Sequence, residues 1–220
     1  AVPDISLLPA AKINKSVMYA LRNSQDHCIG YENTQCNMEL RKQVAKLSFN
    51  WCGKIKPDEI VITSGCLEAN TLCLKAVTYY GDTVAVECPT YFGIYQAIES
   101  IGLKVVEISS DPVTGADLGC LQKAIKNFPI KACVFIPNYN NPMGSIMPDE
   151  HKKKLVDIIT KNNIPLIEDD IYGELYFGKN RPRICKYYDT KWLVMHCSSV
   201  SNCLTPGYRI GWAIPGKFID

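Results

Sequence analysis

No run of apolar residues in this 220-residue sequence reaches the ~20 residues that a membrane-spanning helix needs, and its opening lacks the features of a secretory signal peptide. Neither sign of charge is in excess. Lys and Arg number 24 against 22 Asp and Glu, a formal net charge of +2, which excludes a disordered, self-repelling chain and an extended nucleic-acid surface. Cysteines are many, but the eleven include no Cys-x-x-Cys pair and their number is odd. A zinc or iron–sulfur site is therefore not expected, and no metal ligands are assigned. Mostly buried thiols in a reduced, cytoplasmic setting are expected instead. Internal repeats, low-complexity stretches and a clear linker are also lacking.

What is present is enough apolar material, 47% of residues, to bury the core of one large domain. Apolar spacing predicts a helix over residues 37–51, then a short strand Ile60–Ile62 that ends at Thr63-Ser64-Gly65 and leads into a helix through Val77. The rhythm continues with strand Thr83–Glu87, helix Phe92–Ile101, strand Lys104–Ile108, a turn at Asp111–Gly115 and helix Asp117–Phe128. Strand Ala132–Ile136, helix Pro148–Asn162, strand Pro165–Glu168 and the apolar runs Trp192–Cys197 and Arg209–Ile214 complete it. Strands separated by helices of this length predict an α/β fold, a mostly parallel, doubly wound sheet with helices on both faces. Such sheets bind ligands at the carboxyl ends of their strands. The run Lys152-Lys153-Lys154 is expected to form a solvated helix face.

Four strand ends carry polar residues worth weighing. The small-residue turn Thr63-Ser64-Gly65-Cys66-Leu67 is either an ordinary helix start or an anion site built from free backbone N–H groups and the helix dipole. Asn138-Tyr139-Asn140-Asn141-Pro142-Met143-Gly144 is a common turn composition, although Asn141 could donate into a cleft. Glu168-Asp169-Asp170 puts three carboxylates at a strand end, which is costly to bury without cations. It reads as a solvated acidic turn, or as one carboxylate facing a protonated heterocycle. Ser199, Ser201 and Arg209 offer hydroxyls and a guanidinium fork suited to phosphate, unless Arg209 is a surface salt-bridge partner.

Together, in this order and spacing, the segments Ile60–Cys66, Asp82–Tyr91, Leu166–Gly173 and Ser198–Trp212 resemble the large domain of fold-type I pyridoxal-phosphate enzymes, the class I/II aminotransferases. The likeness is greatest to the aminotransferase-like domain of GntR/MocR-type transcriptional regulators, and it runs from Tyr31 to the end of the chain. The resemblance implies roles. Asp169 would pair with the pyridinium nitrogen, Tyr172 and Asn141 with the phenolic oxygen, and Tyr91 would stack on the ring. The amides of Cys66 and Leu67, with Ser199, Arg209 and more weakly Ser201, would hold the phosphate. Tyr31 would reach the phosphate of a neighbouring subunit, which implies a homodimer.

The departures are equally definite. Asn202 stands where the family has the Schiff-base lysine, and its amide nitrogen is no nucleophile, so both the covalent anchor and the proton shuttle are expected to be lost. Cys36 occupies a position where glycine is typical and is expected to strain its turn. Residues 1–30 read as an arm or linker and 31–220 as the large domain, a piece of a longer chain that opens on Ala1. The carboxy-terminal small domain and the amino-terminal winged helix, through which DNA would be bound, are expected to be missing. Exposed apolar surface and self-association are expected in consequence. The preferred function is an effector-sensing domain that binds pyridoxal phosphate non-covalently and responds to an amine or amino acid, a pseudoenzyme. The alternatives are a stand-alone aminotransferase acting between an amino acid and a 2-oxo acid, and a non-catalytic structural remnant.

Overall fold

The computed structural model describes residues 3–23, 30–53 and 55–219. Helices α1 (Ala10–Asn23) and α2 (Met38–Ser48) come first. They are followed by β1 (Val61–Thr63), α3 (Cys66–Val77), β2 (Thr83–Cys88), α4 (Phe92–Ile101), β3 (Lys104–Asp111) and β4 (Gly115–Ala116). Then come α5 (Leu118–Asn127), β5 (Ile130–Phe135), α6 (Asp149–Asn162), β6 (Leu166–Asp169), β7 (Val194–Ser199) and β8 (Gly211–Ile214). The eight strands make one sheet in the order β1-β8-β7-β6-β5-β2-β3-β4. β3, β2, β5, β6 and β7 run parallel, β8 is antiparallel to both β7 and β1, and β4 is antiparallel to β3.

Alternation along the strands explains why both faces carry helices. On β5, Cys133 and Phe135 pack with Leu121 and Ala124 of α5 and Leu155, Val156 and Ile159 of α6. Their neighbours Ala132 and Val134 pack on the other face with Ala69, Cys73 and Leu74 of α3 and Ile94 and Ile98 of α4. A strand apolar on both sides can only be buried on both sides. The chain order crosses over between β2 and β5, so the connections lead away in opposite directions there and leave a crevice at the carboxyl ends.

Local chemistry sets the element ends. Asn37 caps α2 by accepting from the Leu40 amide, and Asp117 caps α5 by accepting from Gly119 and Cys120. In contrast, α3 starts at Gly65 with no side-chain cap, which leaves its first N–H groups for something else. Cys36 has φ of 69°, the left-handed region that its glycine-like position required.

Two readings of the sequence need correction. The lysine run is not one solvated face, because Lys152 is completely buried while Lys153 and Lys154 are exposed. Its ammonium donates to Asn138 Oδ1 and to the Arg183 carbonyl, both at 2.7 Å. Only distant partners make that burial tolerable, and a local charge pattern does not register them. Nor is Glu168-Asp169-Asp170 a solvated turn, since all three side chains are buried. The opening arm also carries structure, the 14-residue helix α1, which has no fully buried residue. With Ile5 and Leu8, its Ile13 lines a surface groove against Leu204–Tyr208.

Candidate cofactor cavity

A cavity of about 270 Å³ opens at the carboxyl ends of β2, β5, β6 and β7, beside the start of α3. Nine of the residues singled out in the sequence line it: Cys66, Leu67, Tyr91, Asn141, Asp169, Tyr172, Ser201, Asn202 and Arg209. Pro3, Ile136, Ile171 and Pro206 complete the wall. Ser199 is buried behind it, its hydroxyl accepting the Ser201 amide at 3.2 Å. Tyr31 is wholly exposed and does not reach this cavity.

The three buried carboxylates at the end of β6 have separate tasks. Asp170 is paired with Arg181, which is itself buried, and accepts from Asn138 Nδ2 at 2.9 Å. Glu168 accepts the Cys185 and Lys186 amides at 2.6 and 3.1 Å, and burial pushes its carboxyl up to about 7. Asp169 is turned to the cavity. It accepts from Asn70 Nδ2 at 2.7 Å, from the Ile171 amide at 3.1 Å and from Cys66 Sγ at 3.4 Å. Burial raises its carboxyl above the ordinary range, while these donors pull it back down. Among the described residues no cation forms an ion pair with Asp169.

The loop after β5 is held from below. Asn138 and Asn140 are buried, the first between Lys152 and Asp170, the second donating to Glu87 at 2.7 Å. Glu87 also accepts the Ile136 amide at 2.9 Å, and burial lifts its carboxyl to about 7. With its neighbours fixed, Asn141 projects into the cavity and donates to the Tyr172 hydroxyl at 3.2 Å. Burial, then the charge of Asp169, raises the Tyr172 phenol, which keeps it a proton donor.

At the other end, Arg209 donates from Nη2 to the Ser64 carbonyl at 2.9 Å and from Nη1 to the Pro206 carbonyl at 3.3 Å. No carboxylate pairs with it among the described residues. Gly65, at φ of 110°, lets the guanidinium lie against the helix start, where any Cβ would collide with it. Gly211 is equally constrained, because a Cβ there would meet the Gly65 backbone at 2.5 Å. These two contacts bring the uncapped α3 amides and Arg209 to one spot. Asn202 follows in a turn closed by the Leu204 and Thr205 amides, which donate to the Val200 carbonyl at 2.9 and 3.1 Å. Its side chain has no hydrogen-bond partner among the described residues. Among the described residues the wall contains no lysine.

Sequence reasoning missed Asn70, Glu87, Asn138 and Asn140. The signal for Asn70 was its place one helical turn after Cys66, in a helix whose other buried residues are Cys66, Ala69, Cys73 and Leu74.

A family model described as aminotransferase class I and II matches residues 6–215. The uncharacterized HTH-type transcriptional regulator YdcR of Escherichia coli K12 is 41% identical over 217 residues, 99% of this chain and 46% of that protein. The crystal structure of an archaeal alanine:glyoxylate aminotransferase superposes with a TM-score of 0.92 at 28% identity, over 99% of this chain and 55% of that one. LysN, the α-aminoadipate aminotransferase of Thermus thermophilus complexed with N-(5'-phosphopyridoxyl)-L-leucine, superposes with a TM-score of 0.88 at 27% identity, over 96% and 54% of the two chains. The chain thus spans about half the length of the proteins it matches.

Proposed function

Since the chain belongs to the aminotransferase class I and II family, we propose that its cavity binds pyridoxal or pyridoxamine phosphate without a covalent bond and serves as the ligand-sensing part of an HTH-type transcriptional regulator. The observation that carries this reading is a cavity wall with a cofactor-like charge pattern and no lysine. Among the described residues, a buried carboxylate without a cation lies at one side and a guanidinium without a carboxylate at the other. A protonated pyridine ring bearing a phosphate complements both, so the residues present fit the group. When bound, such a cofactor supplies a ring that accepts electron density from an amino acid.

Asp169 would keep the proton on the ring nitrogen. Tyr172 and Asn141 would fix the phenolic oxygen, and Tyr91 would cover the ring. The Cys66 and Leu67 amides, Arg209 and Ser201 would bind the phosphate, with Ser199 supporting Ser201 from behind. Asn202 is able to accept and donate hydrogen bonds, but it neither attacks a carbonyl nor carries a proton between carbon atoms. Occupancy by an amine or amino acid, without turnover, is the expected output. The likeness to YdcR supports the regulatory setting. The wholly exposed Tyr31 fits a homodimer in which it reaches the phosphate of a second copy.

The test compares this chain with Asn202→Lys after incubation with pyridoxal phosphate and borohydride. Mass-spectrometric peptide mapping is expected to find a stoichiometric phosphopyridoxyl adduct at residue 202 in the lysine variant, and none at that residue in the unchanged chain. A folded lysine variant that gains no adduct at residue 202 would contradict the proposal.

A further inference from the structure

Asn70 is 1% exposed, and its carboxamide Nδ2 donates to Asp169 Oδ2 at 2.7 Å across 99 residues of sequence. Its Oδ1 has no hydrogen-bond partner among the described residues. An amide buried in an otherwise apolar helix face costs stability unless its bonds are made, so one strong bond has to justify it. Cys66, one turn earlier on α3, donates its thiol to the other Asp169 oxygen at 3.4 Å. Burial, then the Asp169 charge, hold that thiol protonated, so it is available as a donor to Asp169.

We propose that Asn70 is a positioning residue, which orients the Asp169 carboxylate toward the cavity and favours its ionised form. The inference rests on the cofactor reading of that cavity. The surroundings leave this task to neutral donors. Glu87 on β2, Asp170 and Tyr172 after β6, and Cys66 and Cys197 on α3 and β7 are the titratable groups that face Asp169. None is a cation, and Arg181 is engaged by Asp170 and Glu174. An amide N–H bonds a charged carboxylate more strongly than a neutral carboxyl, so the contact favours the ionised form. A carboxylate held charged in this way gives a pyridinium nitrogen a counter-ion of fixed direction.

The test needs no cofactor. The Asp169 carboxyl carbon is followed by NMR through a pH titration of the cofactor-free chain and of Asn70→Leu. The variant is expected to titrate about one pH unit higher, because a hydrogen bond to a charged group is lost. Asn70→Ser, too short to reach Asp169 and without added bulk, is expected to give the same rise and serves where the leucine variant does not fold. An unchanged titration in a folded variant overturns the proposal. Pyridoxamine phosphate affinity is the second readout, expected to fall about tenfold in the variant, in line with that one-unit shift. If the unchanged chain takes up no pyridoxamine phosphate, the cofactor reading fails, while the Asp169 titration still decides the role of Asn70.

Discussion

An amide in place of an amine changes what residue 202 can do, while its neighbours are still arranged around a ligand. Asp169, Tyr172 and Asn141 are linked to the protein by bonds of 2.7 to 3.2 Å, so the polar end of the cavity is ordered before any ligand arrives. Residue 152 shows the opposite relation between sequence and environment. Its ammonium is buried and satisfied by Asn138 and the Arg183 carbonyl. Lys152→Met should therefore cost about 3 kcal/mol, by leaving Asn138 Oδ1 and that carbonyl without a donor. Lys153→Met, on the exposed side, should stay within about 0.5 kcal/mol. Urea unfolding of the two variants checks the contrast.

Among the elements, strand β2 and the loop after β5 behave as one unit, because Glu87 ties Ile136 and Asn140 together. Its carboxyl is raised from 4.5 to about 7 in the folded chain, chiefly by burial. A raised folded value means that the protonated form is favoured by folding. The contribution is then complete below about pH 4.5 and disappears as the pH rises through about 7. Its size is at most about 3 kcal/mol. Glu168, raised likewise to about 7, acts in the same window. His196 opposes them. Burial depresses it well below 6.5, so its share is present above that value and is lost as pH falls. Thermal melts between pH 5 and 8 are expected to show a smaller loss of stability on going to pH 8 in Glu87→Gln than in the unchanged chain. The elements themselves were legible, since apolar alternation and turn residues act within a few positions. Helix α2 ends at Ser48 instead of residue 51, and α3 begins at Cys66, just past the expected Gly65 turn. Helix α1 was not legible, because Ile13 and Val17 are only half-buried and make a weak pattern. Most of the cavity wall was readable because it lies in the segments that follow β1, β2, β5, β6 and β7. Asn70, Glu87 and Lys152 were not, because their partners lie 99, 53 and 31 residues away.

At the scale of the molecule, two apolar layers sandwich the parallel strands, and the sheet order leaves its crevice where the connections from the neighbouring strands β2 and β5 lead apart. Tyr31, Tyr79, Tyr80 and Phe177 stand almost wholly in solvent. No helix among the described residues is long and apolar enough to cross a membrane. The cavity draws on four strand ends and one helix start, so its ligand reports on the whole arrangement. Equilibrium dialysis of pyridoxamine phosphate against the unchanged chain measures this most directly. Saturable binding of one ligand per chain is expected, weakened at least about tenfold by Arg209→Ala, which removes a charge-assisted phosphate contact. Absence of saturable binding to the folded chain, or equal affinity in Arg209→Ala, would contradict the account.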